Sequence, residues 1–271
     1  MSRPTILKLG GELLEDACAM QAIARMIASV ARRVPLVVIH GGGREIDAEL
    51  ARAGIRTRQV DGIRVTDEAT LAVVVPVLAG TINTRFVAAI AAAGGQPVGL
   101  TGADAGVAAV EAAPPMRTAA GETVSLGRVG RPVNGGVPHL LHHLLAGRYV
   151  PVVASIGADK TGTLYNVNAD TMASALAERL WAERLVIAGT TPGVIDADAH
   201  TIAELTESAE QQIVESGTAN AGMLAKLQAC RAALRAGVGS VLIVNGRDTS
   251  RLESAVVRGE SADGSMTTVV P

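Results

Sequence analysis

The chain has 271 residues, of which 48% are hydrophobic and 18% charged, with a formal net charge of −2. That is enough chain for a large core or two lobes, and the composition excludes a disordered protein. Near-neutral charge and four aromatic residues, Phe86, Tyr149, Tyr165 and Trp181, supply neither the basic stripe nor the stacking platform of a nucleic-acid binder.

Residues 5–9 read as a buried strand, 17–32 as an amphipathic helix, and 35–40 as a second buried strand ended by Gly41-Gly42-Gly43. A helix over 44–53 stops at Gly54. Strand, glycine turn, helix, strand is the pattern of a parallel sheet covered on both faces. Helices over 67–79 and 81–93 follow, and Pro76 is expected to kink the first or mark its boundary. Residues 96–100 form a strand, and the Gly-, Pro- and Arg-rich stretch 107–135 is expected as β-hairpins over the sheet edge. A helix over 137–145 and a strand over 149–154 come next. Asp159-Lys160-Thr161-Gly162 is then the turn of a hairpin within 157–167.

Helices are predicted at 169–179, 203–216 and 221–236. Strands are predicted at 184–188 and 240–244, with a final edge strand in the tail. Two lobes on one continuous sheet should meet near 150–155. No apolar stretch of ~18 residues runs free of a charge or a breaker, so no membrane span is expected. The first residues lack the apolar run of a signal peptide. Cys18 and Cys230 read as free buried thiols of a reducing compartment, so the expected location is cytoplasmic.

Glycine turns follow three of these strands: Gly10-Gly11, Gly41-Gly42-Gly43 and Gly99-Leu100-Thr101-Gly102. In an open parallel sheet such turns gather at the carboxyl edge, where their N–H groups can cradle an anion. Neither familiar phosphate motif is present. Asp159 and Ala154 stand where a P-loop ending in Lys160-Thr161 needs glycine, and Gly41-Gly42-Gly43-Arg44-Glu45-Ile46 lacks the last glycine of a dinucleotide fingerprint. Only three of the 24 basic residues are lysine: Lys8, Lys160 and Lys226. Lys160 reads as a solvated hairpin tip. Lys8 and Lys226 lie beside glycine turns, and an ammonium is not interchangeable with a guanidinium between phosphate oxygens, so the two suggest a phosphoryl clamp.

Arg64 could hold a substrate carboxylate by two parallel hydrogen bonds, or pair with Asp61 or Asp67. In Asn166-Val167-Asn168-Ala169-Asp170, Asn168 or Asp170 could cap a helix, or the group could hold polar substrate atoms and orient an ammonium. His139, His142 and His143 share a helix without the partners of a metal site, and no metal ligands are assigned. His40 reads as a structural or ligand-loop residue.

Taken together, Lys8-Leu9-Gly10-Gly11, His40-Gly41-Gly42-Gly43, Gly62-Ile63-Arg64-Val65-Thr66-Asp67, Ala79-Gly80-Thr81-Ile82-Asn83, Tyr165 to Asp170 and Gly222-Met223-Leu224-Ala225-Lys226 resemble the amino-acid kinase superfamily, most closely its N-acetylglutamate kinases. The resemblance implies a three-layer αβα sandwich with an open, mainly parallel sheet. Residues 1–150 would hold the amino-acid derivative and 151–271 would hold ATP. It implies ATP-dependent phosphorylation of the side-chain carboxylate of N-acetyl-L-glutamate, with Mg²⁺, as in arginine biosynthesis. Lys8 and Lys226 would be the transition-state lysines and Asp170 the carboxylate that organises them. Gly42, Gly43, Arg64 and Asn166 would contact the acceptor. Gly10, Gly11, Thr190, Thr191, Gly193, Val194, Thr218 and Asn220 would contact the nucleotide.

The chain departs from the family at Thr190, where an Asp is usual, at Thr84 and Ala103, where Lys is common, and at Ala221, where Gly or Asp is usual. It starts almost at the first strand, without the N-terminal helix of arginine-inhibited hexamers, so a homodimer without arginine feedback is expected. Kinases for N-succinylglutamate or carrier-linked aminoadipate, and a non-catalytic ligand-binding relative, are the alternative readings.

Overall fold

The computed structural model describes residues 2–117, 121–133, 136–196, 198, 200–215, 221–260 and 266–271. β1 (Thr5–Leu9) leads through a short 3₁₀ turn (Gly11–Leu13) into α1 (Ala17–Val30). β2 (Leu36–His40) leads into α2 (Gly43–Arg52), and a two-stranded ribbon follows, β3 (Gln59–Val60) with β4 (Ile63–Arg64). Next come α3 (Glu68–Val75), a π-helical segment (Pro76–Ile82), α4 (Asn83–Ala92) and β5 (Pro97–Thr101). β6 (Val110–Ala112), β7 (Met116–Arg117), β8 (Thr123–Val124), β9 (Val129–Pro132), α5 (His139–Ala146) and β10 (Val150–Ala154) complete the first half. The second half has β11 (Ile156–Ala158), β12 (Leu164–Val167), α6 (Ala169–Arg179), β13 (Arg184–Gly189), β14 (Glu204–Leu205) and α7 (Glu207–Glu215). It ends with α8 (Ala221–Arg235), β15 (Ser240–Asn245), α9 (Thr249–Val257) and β16 (Thr267–Val269).

Eight strands form one sheet in the order β14-β16-β15-β13-β1-β2-β10-β5, parallel except where β15 meets β16. The central strands are apolar on both faces because helices cover both. Alternation along each strand divides the core in two. Leu7, Leu9, Val38, Val152, Val186 and Leu242 point to α1, α4 and α9. Ile6, Val37, Ile39, Val153, Ile187 and Ile243 point to α5, α6 and α8. With the sheet between them, these are the three layers of an αβα sandwich.

Several features differ from or refine the expectation. Pro76 marks a boundary, as expected: the α-helix α3 ends at Val75 with Pro76 as its C-cap, but the chain does not leave the helical path. Pro76 opens the π-helical segment, where the changed hydrogen-bond register accommodates a residue that has no N–H to give. The helical run 68–92 is therefore continuous. By length and composition it could cross a membrane. Here Val74, Leu78, Ile82, Phe86 and Ile90 form one buried stripe against the sheet. The tail strand β16 is not an edge, because β14 adds outside it: Leu205 is buried opposite Val269, and helix α7 starts only at Glu207. Cys18 is exposed on the outer side of α1, and only Cys230 is a buried thiol. Helix α9 was not among the expected elements. Its signal is Asp248, whose carboxylate accepts from Ser250 N and Arg251 N.

Candidate active site

The registers bring five strand ends to one level. Leu9 pairs with both His40 and Ala188, and Ala154 pairs with both His40 and Thr101. The turns after β13, β1, β2, β10 and β5 thus share one edge. β1 is flanked by β2 on one side and by the much later β13 on the other. A crevice opens where the chain reverses its strand order in this way, and ligands of open α/β sheets bind there.

The first two glycine turns touch each other. A Cβ on Gly11 would lie 2.6 Å from Gly42 Cα, and one on Gly42 would lie 2.1 Å from Ile82 Cδ1, so neither position has room for a side chain. Gly43, the first residue of α2, faces open space. It offers the free N–H groups and positive pole of a helix N-terminus. The third turn is closed by its own side chain, because Asp104 accepts from both Thr101 N and Thr101 Oγ1. The anion cradle therefore belongs to the first two turns.

Lys8 is the charged member of an otherwise apolar strand. Strand parity puts it on the face of Ile6, toward α6 and α8. It is only 8% exposed, and its Nζ lies 2.9 Å from Asp170 Oδ1. Asp170 is available because Asn168, not Asp170, caps α6: Asn168 Oδ1 accepts from Asp170 N and Thr171 N at 2.9 and 3.0 Å. Asp170 Oδ1 has the ion pair but accepts no aligned hydrogen bond among the described residues. Lys226 enters from α8. Burial and then the charge of Lys8 lower its pKa, against opposing pulls from Asp170, Cys230 and Glu12. Both lysines and Asp170 thus meet at the end of β1.

Arg64 is nearly buried, and its partner is neither Asp61 nor Asp67. It donates to Asp47 Oδ1, one turn into α2, and to Gly43 O at 3.2 Å. Asp67 is engaged as the cap of α3, accepting from Thr70 N, and Asp61 sits at the tip of the β3–β4 turn. Burial would raise the Asp47 carboxyl, but the Arg64 guanidinium outweighs it and holds the group below its ordinary range. Asn166 Nδ2 donates to Thr66 Oγ1 at 3.2 Å, and Thr66 Oγ1 donates to Arg64 O. Arg64, Asn166 and the open end of α2 are therefore one connected group.

His40 is fully buried at the end of β2. Its Nδ1 faces Gly41 O at 3.1 Å, and its Nε2 faces Asn83 Nδ2 at 3.0 Å. Asn83 also donates to Val152 O. A carbonyl beside Nδ1 and an amide donor beside Nε2 specify the neutral tautomer with the proton on Nδ1. Burial lowers its pKa to about 4. This pair ties the glycine turn to the long helix and to β10. Asn83 and Glu12 were missed as contributors from sequence, although Asn83 stands inside a glycine-containing motif and Glu12 directly follows one.

On the β13 side, Thr190 is exposed and Thr191 half-buried. Gly193 is closed against Thr267, and Val194 lies in the core with its N–H taken by Thr267 Oγ1 at 2.8 Å. Thr218 and Asn220 lie outside the described residues. Lys160 is exposed on its hairpin, where Asp159 accepts from Thr161 N and Thr163 N.

Known proteins resemble this chain in sequence and in fold. An acetylglutamate kinase from Solibacter usitatus is 38% identical over 264 residues, 97% of this chain and 98% of that one. One from Dinoroseobacter shibae is 38% identical over 89% of this chain and 81% of its own. In fold, an N-acetylglutamate synthase from Neisseria gonorrhoeae, complexed with coenzyme A and N-acetyl-glutamate, superposes with TM-score 0.83 at 23% identity. That match covers 99% of this chain and 59% of the synthase. Carbamate kinase from Giardia lamblia bound to AMP-PNP gives 0.66 at 16% identity, over 99% of this chain and 98% of that one. Residues 3–245 match the description "Amino acid kinase family", and the chain belongs to that family of phosphotransferases.

Proposed function

We propose that this chain transfers the terminal phosphoryl group of ATP to the side-chain carboxylate of N-acetyl-L-glutamate, giving N-acetylglutamyl phosphate and ADP. The observation that carries the reading is the 2.9 Å Lys8–Asp170 pair with Lys226 opposite, at the switch-point edge of the sheet. A carboxylate acceptor has a reference pKa of ~4.3 and is ionised at neutral pH, so no general base is required. A carboxylate oxygen attacks phosphorus, the bond to the bridging oxygen breaks, and ADP leaves with its electron pair. The obstacle is the meeting of two anions, and charge neutralisation with in-line positioning is what the site supplies.

In this reading Lys8 and Lys226 bracket the moving group, and Asp170 keeps them charged and aimed. Gly42 and Gly43 receive the reacting carboxylate, while Arg64 and Asn166 hold the other end of the acceptor. Gly10, Gly11, Thr190 and Thr191, with Thr218 and Asn220, line the nucleotide, and Gly193 and Val194, closed against Thr267, shape that turn from behind. Residues 1–150 mainly serve the acceptor and 151–271 the nucleotide. No cluster of three or more His, Cys, Asp or Glu suited to a metal occurs among the described residues. Mg²⁺ in this reading rides on the phosphate oxygens of ATP, the setting in which it needs few protein ligands. A cytoplasmic homodimer completes the reading, supported by unpaired thiols and by β5, the terminal strand of the sheet among the described residues.

ATP-dependent hydroxamate formation with a panel of N-acylated glutamates and aminoadipates tests the assignment. Turnover is expected with the N-acetyl compound. Activity with another acyl group alone would replace the substrate, and a dead panel would sink the kinase reading.

A further inference from the structure

The two lysines differ in one respect that the proposed chemistry leaves unexplained. Lys8 has its own carboxylate at 2.9 Å, whereas Lys226 forms no ion pair among the described residues. A second carboxylate lies beside it. Glu12 follows the first glycine turn, and its side chain folds back over Gly10: a Cβ there would lie 2.3 Å from Glu12 Oε1 and 2.5 Å from Oε2. On the other side, a Cβ on Gly189 would lie 3.6 Å from Glu12 Oε1 and 3.7 Å from Lys226 Nζ. Gly10 N donates to Ala188 O at 2.9 Å, which fixes the ends of β1 and β13 together. Two glycines thus leave a slot between these strand ends, and both the Glu12 carboxylate and the Lys226 ammonium approach it.

We infer that Glu12 is the positioning residue of the second lysine, doing for Lys226 what Asp170 does for Lys8. The groups facing Lys226 are Lys8 on β1, Asp170 on α6, Cys230 on its own helix and Glu12 on the turn. β15, which also packs on α8, carries no ionisable side chain. Asp170 exerts the larger pull on Lys226 but is in direct contact with Lys8, so Glu12 is the second carboxylate, left to close on the second ammonium. It stands on a short turn rather than in the core, so it can follow Lys226 when that residue turns toward a nucleotide. The kinetic part of this inference rests on the phosphoryl-transfer reading, and the electrostatic part does not.

The chain's three lysines make a direct test practical. Protein labelled with ¹³C at lysine Cε gives three side-chain signals, assigned with Lys226→Arg and Lys160→Arg variants. Lys160, exposed on its hairpin, serves as the reference. Lys226 is then titrated in the wild type, Glu12→Gln and Glu12→Asp. Loss of the negative charge disfavours the ammonium, so in Glu12→Gln the Lys226 midpoint should fall by roughly half a unit or more. The alkaline limb of kcat should move down with it, and Glu12→Asp should restore part of both. A Lys226 midpoint within about 0.2 unit of wild type in Glu12→Gln overturns the inference, whatever happens to turnover. If the midpoint falls but the wild type phosphorylates no acceptor, the pairing stands and the kinase reading fails.

Discussion

Lys8 and Lys226 carry the same charge to the same place from unlike settings. Lys8 grows from the central strand β1, which is paired on both sides over its whole length, and meets Asp170 at once. Lys226 arrives on α8, and its neighbours hold it at longer range. One lysine is part of the architecture, while the other is presented to the crevice by a helix. A charge built into a core must be matched there, because a buried ion without its partner costs far more than the pair contributes. A charge presented from a helix can be left incompletely matched, and the energy of completing the match is then available to a ligand.

Removing each charge separates the two settings. Lys8→Met and Lys226→Met should both lower kcat by on the order of a thousandfold, since each deletes a preorganised charge aimed at the transferring phosphoryl group. KM for the acceptor should change little. Near-normal turnover in either variant would refute the clamp. Stability should diverge. Lys8→Met strands the Asp170 carboxylate and should cost about 3 kcal/mol, whereas Lys226→Met removes an ion held at a desolvation cost and should be neutral or stabilising. Urea unfolding of both variants settles this, and equal losses would show that the two lysines are held alike.

Acid and alkali should act on opposite sides of the site. His40 is neutral in the folded protein with its pKa lowered to about 4, from 6.5. Between those values the unfolded chain carries a proton that the folded one excludes. Stability therefore falls as pH drops through that window, by about 3 kcal/mol in total for this group, and its contribution is constant below it. His40→Asn should flatten the dependence of the urea midpoint on pH between 7 and 4, and an unchanged slope would place the acid sensitivity elsewhere. For Lys226 the readout is turnover rather than stability. Its pKa is lowered, so its charge, and with it kcat, is lost as pH rises, earlier than for an ordinary lysine.

The same contrast decides what could be read from sequence. The strand side was legible: five buried residues and then two glycines announce β1, and its span was read correctly, because a run of that kind has one way to fold in a parallel sheet. The end of β2 and the start of α6 were equally plain. Of the contacts between elements, the meeting of Lys8 with Asp170 was expected from the resemblance, and the others escaped. Asp47 as the partner of Arg64 lies 17 positions away, nearer candidates stood at Asp61 and Asp67, and only the ribbon and α2 together bring the right one close. His40 and Asn83 stood in separate motifs, and nothing in either says that the amide reaches the imidazole. The local rule for Pro76 placed the end of the α-helix correctly, but it does not say that the chain continues as a π-helical turn, which the buried stripe from Val74 to Ile90 holds against the sheet. Glu12 escaped because its role depends on two glycines that lie far apart in the chain.

The smallest expected effect concerns how Asp170 is kept for Lys8. The first turn of α6 has N–H groups to satisfy, and a carboxylate among them is itself a capable acceptor. Asn168 takes Asp170 N and Thr171 N, which leaves the Asp170 side chain to the ammonium. Asn168→Ala should cost about 1 kcal/mol, the usual loss of a cap. It should also lower kcat a few-fold, because the turn that aims Asp170 is less well held. Asn168→Asp restores an acceptor at the cap and should recover the thermal midpoint. It also brings a second carboxylate beside the lysines, so turnover should stay below wild type. If Asn168→Asp recovered stability and rate together, the amide would be a cap and nothing more. If Asn168→Ala left both unchanged, Asp170 would be aimed by Lys8 alone, and the strand side of the site would need no help from the helix it faces.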